Sequence, residues 1–331
     1  MTDRDALIAA FLKRAGWGAA ERGRLAGDAS FRHYDRLLDG ERRAVLMDAP
    51  PPKEDVRPFV RIAMHLERLG YSSPRLLAVD LDNGLLLLED LGDDTYTRLL
   101  ENGGDEQALY ALAVDLLADL HGQGEQAIPL GLAPYDDDKL LTEAALLTDW
   151  TMPAVLGAAT APAVRAEYLS LWRELIPLAQ AVPDTLVLRD FHVDNLMKLP
   201  REGLAACGLL DFQDAVTGPV TYDLMSLLED ARRDLSPQLV AAMTERYLAR
   251  FPALDRDAFA ASWAVLAAQR HAKVIGIFTR LCKRDGKPGY LVHIPRVWRL
   301  LDRACAHPAL ARMKGWLDRH IPAEARGVPN P

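Results

Sequence analysis

Two short apolar runs, "LVL" (186–188) and "GLL" (208–210), interrupt a second half that otherwise reads as helix. Runs this short, bounded by polar clusters, suit buried strands rather than buried helices. The residues just beyond each run narrow the fold further. The first run leads into "RDFHVDN" (189–195) and the second into "DFQD" (211–214). The chain must therefore carry two strand ends, each loaded with carboxylates, inside a mainly helical region.

The first half has a different texture. Leu7, Ile8, Phe11 and Leu12 fall at helical spacing, so residues 3–14 read as an amphipathic helix. Extended segments lie on either side of "GDAS" (27–30), and "AVLMD" (44–48) reads as a strand stopped by "APPP". Residues 55–69 carry a helical stripe. "RLLAVD" (75–80), the turn "DNG" and "LLLLED" (85–90) read as a hairpin. A small sheet with one crossing helix, a linker near 91–95 and a larger helical region with an embedded strand pair make an α+β protein of two lobes with a cleft between them.

Composition sets limits on partners. A net charge of −8 argues against nucleic acid, whose phosphates are met by basic faces. Three separated cysteines, Cys207, Cys282 and Cys305, make neither a disulfide framework nor a CxxC site. The opening residues mix charge into their apolar positions, and no apolar run reaches the length of a membrane span. A soluble protein of the reducing cytoplasm is expected, with no membrane partner.

The polar clusters have two chemical readings. Asp190, His192 and Asp194 form a D-x-H-x-D pattern, but zinc usually draws on more histidine or cysteine, and the other histidines show no ligating spacing. The second reading joins both clusters. An aspartate after a strand can take a proton from a hydroxyl, and an asparagine five residues later can offer a neutral oxygen to a hard cation. Asp211, 21 residues beyond Asp190, supplies the carboxylate that completes an oxygen-rich Mg²⁺ site. This is the layout of kinase phosphoryl transfer.

Asp190, Asn195 and Asp211, with "GPVTYDL" (218–224) downstream and "LHG" (120–122) upstream, resemble the aminoglycoside-phosphotransferase-like family, relatives of the protein kinases. "GDASFRHY" (27–34), "VLMDAPP" (45–51), "GLLLLEDLGD" (84–93) and "RHAKVIGIFTRL" (270–281) extend the resemblance over nearly the whole chain. They are similar to the bacterial branch containing the N-acetylmuramate/N-acetylglucosamine anomeric kinases of cell-wall recycling. The resemblance implies a bilobal protein-kinase-like fold, with a small antiparallel-sheet N-lobe over residues 1–91 and a larger, mainly helical C-lobe over 92–331. It implies an ATP- and Mg²⁺-dependent kinase acting on a small sugar.

By the same resemblance, Asp190 would act on the sugar hydroxyl, Asn195 and Asp211 would hold Mg²⁺, and Asp223 would brace the catalytic loop. Gly27, Asp28, Ala29 and Ser30 would form the turn over the phosphates. The backbone at Glu89 and Leu91 would meet adenine. His192, Gln213, Arg232, Arg270 and Lys273 are candidate substrate contacts, the last two as a cationic wall on one helix face.

One departure stands out. Kinases carry a lysine on the strand read here as "AVLMD", and the corresponding position is Met47. Arg32 and Arg36, leaving "GDAS", are the nearest cations that could face the phosphates instead. Other acceptors in the same fold (an aminoglycoside, choline, homoserine) and a non-catalytic nucleotide-binding regulator are the rival readings.

Overall fold

The structure is a computed structural model, and it describes residues 3–25 and 31–330. The phosphate-turn residues Gly27, Asp28, Ala29 and Ser30 lie outside the described residues.

The chain opens with α1 (Asp3–Arg14), β1 (Glu21–Arg24), β2 (His33–Asp39), β3 (Arg42–Asp48), α2 (Arg57–Arg68), β4 (Leu76–Asp80) and β5 (Leu85–Glu89). Next come α3 (Tyr96–Glu101), α4 (Glu106–Gly122), α5 (Asp137–Ala144), α6 (Met152–Leu156), α7 (Pro162–Ala179) and β6 (Asp184–Val187). Two short strands, β7 (Leu196–Lys198) and β8 (Cys207–Leu209), precede β9 (Val216–Pro219) and α8 (Thr221–Leu228). The chain closes with α9 (Pro237–Leu248), α10 (Arg256–Asp285), α11 (Ile294–Ala304) and α12 (Ala311–His320).

These elements form two compact units. The first is Met1–Leu116 with Asp190–Ala215; the second is Leu117–Arg189 with Val216–Pro331. This partition reflects packing and differs from the lobe division at residue 91, because α3, the start of α4 and the 190–215 segment pack in the first unit.

The core of the first unit is a five-stranded antiparallel sheet in the order β1-β2-β3-β5-β4. The hairpin expected at 75–90 is β4–β5. Its turn needs glycine: Gly84 has φ +62°, and a Cβ there would lie 2.0 Å from the Ala49 carbonyl oxygen. One sheet face buries Leu37, Ala44, Leu46, Leu85 and Leu87 under Ile8, Phe11 and Leu12 of α1, with Trp17 alongside. Residues two apart share that face, which is why the alternating strands and the 3–14 stripe found each other.

The apolar runs "LVL" and "GLL" both contribute strands, but these do not pair with each other. β6, holding "LVL" in part, pairs with β9; β8, holding "GL", pairs with β7. Two separate antiparallel pairs therefore replace the single embedded pair expected. The reason is local: β7 and β8 are joined by only eight residues and close as their own antiparallel ladder, Leu196 opposite Leu209. Leu209 N–H also donates to Ser72 O at 2.8 Å and Lys198 N–H to Asp94 O at 2.8 Å, which ties this ladder into the first unit.

The second unit is helical around the long α10. Its core gathers Trp172, Tyr168, Tyr222, Met225, Ile275, Trp298 and Trp316, all buried. No described helix is long and apolar enough to cross a membrane.

Candidate active site

The β7–β8 register explains why two residues 16 positions apart can act together. With Leu196 opposite Leu209, Asn195 lies opposite Leu210, and Leu210 N–H donates to Asn195 O at 2.9 Å. Asp211 is the next residue. Asn195 is also oriented from its other side: its Nδ2 donates to the Asp190 carbonyl at 2.9 Å, closing the five-residue loop on itself. That bond uses the amide nitrogen and leaves Oδ1 as the oxygen available to a cation.

Asp211 sits in left-handed backbone, φ +56°, and so does Arg189, φ +71°. Neither is glycine, so each position costs about 1–2 kcal/mol that the surrounding structure must offset. Arg189 immediately precedes the candidate base Asp190 in the chain, and Asp211 is the candidate metal carboxylate. Phe212, fully buried, stacks on Phe59 of α2 with ring centroids 4.9 Å apart, and Gln213 Nε2 donates to Asp211 Oδ1 at 2.9 Å. Gln213 thus steadies the carboxylate. Asp211 and Asn195 supply one carboxylate and one amide oxygen. That set fits Mg²⁺, which takes a few protein oxygens and completes its shell with phosphate and water. Among the described residues no group of three or more His, Cys, Asp and Glu is placed to hold a metal, so the zinc reading of Asp190, His192 and Asp194 gains no support. Asp194 instead accepts from the Thr97 hydroxyl.

The loop ahead of Asp190 is anchored from within the second unit. Asp223, 1% exposed on α8, accepts from Leu188 N–H at 2.6 Å and Arg189 N–H at 2.9 Å. Asp223 thus makes a pair of charge-assisted hydrogen bonds to the two residues before Asp190. The Arg189 side chain is held separately, by Glu143 of α5. Glu143 also meets Lys273 Nζ at 3.2 Å, the Tyr135 hydroxyl and, at 3.4 Å, Gln269 Nε2. Burial pushes the Glu143 carboxyl up, but the Lys273 and Arg189 cations and the Tyr135 hydrogen bond outweigh it, leaving it below the usual carboxylate value. Glu143 escaped the sequence reading because no motif or periodicity marks a lone glutamate on a short helix.

The arginine candidates separate. Arg36 lies 2.8 Å from Asp90 and 2.9 Å from Asp93, and its Nη2 donates to Gly92 O at 3.1 Å. Its charge is spent on the segment after β5. Arg32 lies 3.4 Å from Asp211 and 3.9 Å from Glu54, with its side chain 11% exposed. Met47 is buried in β3, opposite Tyr34 and Leu86. Glu54, which the sequence did not single out, also accepts from Phe31 N–H at 3.1 Å.

The remaining candidates scatter. Glu89 spends its N–H on Arg75 O, and its carboxylate meets Arg75 at 3.1 Å and Arg201 at 2.6 Å. Together with Leu91 it borders a cavity of about 350 Å³ in the first unit, beside Lys198 and Arg201. His192 is buried, with Nε2 3.4 Å from Asn195 Nδ2. The Arg232 carbonyl accepts from Arg296 at 2.8 Å. His121 meets the Tyr247 hydroxyl at 2.7 Å.

An antiparallel sheet with a crossing helix, a D-x₄-N loop and a second aspartate aligned to it by a short ladder define a kinase-like phosphotransferase. The profile of the "phosphotransferase enzyme family" matches residues 22–262, and the chain belongs to that family. A Caulobacter vibrioides protein named N-acetylmuramate/N-acetylglucosamine kinase is 40% identical, covering 98% of this chain and 99% of that one. A Pseudomonas aeruginosa protein of the same name is 40% identical, covering 90% of this chain and 89% of that one. Among solved structures, a choline kinase of Streptococcus pneumoniae has a TM-score of 0.65 at 12% identity, over 92% of this chain and 100% of that one. The GDP complex of aminoglycoside 2'-phosphotransferase-IIIa has a TM-score of 0.60 at 15% identity, over 92% of this chain and 99% of that one. At such identities the likeness speaks for the α+β kinase-like fold alone.

Proposed function

We propose that this chain is an ATP- and Mg²⁺-dependent cytoplasmic kinase that phosphorylates the anomeric hydroxyl of N-acetylmuramate and N-acetylglucosamine. The observation that carries the reading is the near-full-length similarity to the Caulobacter relative of that name. Residues 1–91 would serve as the nucleotide lobe and 92–331 as the catalytic and substrate lobe.

In this reading Asp190 accepts the proton of the anomeric hydroxyl as that oxygen bonds to the γ-phosphorus and the bond to the ADP oxygen breaks. Asp223 holds the two backbone N–H groups before Asp190, so the base does not reorganise during transfer. Asn195 and Asp211 would hold the metal ion, which when bound neutralises charge on the phosphate oxygens. Arg32, poised beside Asp211, takes the place of the lysine absent at Met47, with the turn at Gly27, Asp28, Ala29 and Ser30 covering the phosphates. Glu89, through its carbonyl, and Leu91 would meet adenine. His192 and Arg232 would contact the sugar, and Gln213 would act on it through Asp211.

The test is ATP consumption with Mg²⁺ across N-acetylmuramate, N-acetylglucosamine, glucose, choline and kanamycin, with phosphorus NMR of the product. A sugar 1-phosphate from the two amino sugars is expected. Turnover of choline or kanamycin in their place, or none on any acceptor, would overturn the assignment.

A further inference from the structure

The basic face of α10 divides in two. Lys273 is paired with Glu143 at 3.2 Å. Arg270, one turn earlier, is 4% exposed, and its Nη1 is buried with no hydrogen-bond partner among the described residues. Its neighbours on the helix are engaged elsewhere. Gln269 Nε2 donates to Leu140 O at 3.0 Å, and His271 Nε2 meets Glu229 at 2.7 Å. A guanidinium cannot shed its charge by deprotonation, so burying one without an anion is costly, and an apolar side chain of similar length would suit stability better.

Arg270 nonetheless shares its helix face with partly exposed residues. Lys273, Val274 and Ile277, at three, four and seven residues beyond it, are half-buried, whereas Ile275, Gly276, Phe278 and Thr279 are buried. Arg270 therefore lies on the one face of this helical stretch that opens outward. Glu143, the carboxylate that Lys273 meets, is already compensated by Lys273 and Arg189. It leaves the positive charge of Arg270 to act on an incoming group.

We infer that Arg270 is the anchor for a carboxylate on the acceptor. It is then the residue by which the chain tells N-acetylmuramate, with its lactyl carboxylate, from N-acetylglucosamine, which lacks one. The inference rests on the sugar-kinase reading above. The planar fork of an arginine suits a carboxylate, bonding both oxygens at once.

Two arms test it. In the first, Arg270→Met and Arg270→Lys are assayed on both sugars. The ratio of kcat/KM for N-acetylmuramate over that for N-acetylglucosamine should fall about tenfold or more in Arg270→Met, chiefly through KM, with partial recovery in Arg270→Lys. In the second, the unaltered chain is given N-acetylmuramate and its methyl ester; the ester should lose about tenfold in kcat/KM. This arm stays readable if a variant fails to fold. A ratio within about twofold of the parent, or an ester as good as the acid, overturns the anchor. An unaltered chain inactive on both sugars sinks the proposed function, and the anchor with it, before any variant is made.

Discussion

Replacing Glu143 with glutamine keeps the shape of its side chain and removes its charge, so the consequence can be worked from its contacts. Glu143, 12% exposed, stands between Arg189 and Lys273, whose side chains are 11% and 13% exposed. After Glu143→Gln these two cations face each other across a site largely shielded from water. Removing one partner of a buried ion pair costs about 3–5 kcal/mol, because the charge left behind is uncompensated. The remaining exposure of all three groups favours the lower end, about 3 kcal/mol. The isosteric change opens no cavity, so packing does not blur the figure. Equilibrium urea unfolding measures it, and a second substitution sharpens the reading. Adding Lys273→Met to Glu143→Gln should restore part of the loss by deleting one stranded cation, a non-additivity characteristic of coupled neighbours. Turnover should fall as well, since the Arg189 side chain, one residue before Asp190, loses its Glu143 partner. A Glu143→Gln chain that unfolds within about 1 kcal/mol of the parent would refute the argument. The same carboxylate sets a pH limit. Its pKa is depressed in the fold, so its contribution is full above the ordinary glutamate value and drains away as pH falls through the lower folded value.

Three more substitutions separate roles. Asp190→Asn should cut turnover by about a thousandfold or more while calorimetric binding of ATP with Mg²⁺ stays near the parent value. Asp211→Ala should instead weaken metal-dependent nucleotide binding itself, and equal binding in the two variants would place the metal elsewhere. Burial holds His121 down to about 3. Between that value and the ordinary histidine pKa of about 6.5, the unfolded chain binds a proton that the folded one refuses. Stability should therefore drop by about 1.4 kcal/mol per unit of falling pH across that window. His121→Gln should remove about one proton from the slope of urea stability between pH 6 and 4; an unchanged slope would disprove it.

Much of this was legible in the residues. The β4–β5 hairpin announced itself because "DNG" supplies the turn chemistry between two apolar runs, and the first and second helices because their stripes hold a single period. The candidate cluster of Asp190, Asn195 and Asp211 could be proposed from sequence because both stretches follow short apolar runs, and the structure bonds Asn195 back to Asp190 and sets it opposite Leu210, the residue before Asp211. What the residues withheld was partnership. β6 and β8 look alike in sequence, yet each is claimed by a different neighbour, and strand choice depends on closure over distances that no local pattern records. Arg32 and Arg36 were equivalent on paper. Only folding brings Asp90 and Asp93 onto Arg36, which leaves Arg32 beside Asp211. Arg270 and Lys273 shared a helix face by spacing, and Glu143, more than a hundred residues away, breaks their symmetry.

The β7–β8 ladder also divides its surroundings into positions that tolerate change of length and positions that do not. Its connecting segment has an exposed tip at Glu202 and Gly203, while the flanking strands count residues from Leu196 to Leu209 in fixed opposition. An affinity tag or fluorescent reporter threaded into that tip leaves Asn195 and Asp211 level with each other. A single residue added within either strand shifts one of them out of step and turns its side chain to the opposite face. The hairpin is thus a natural port for labelling the chain beside its chemistry, provided the cargo enters at the turn.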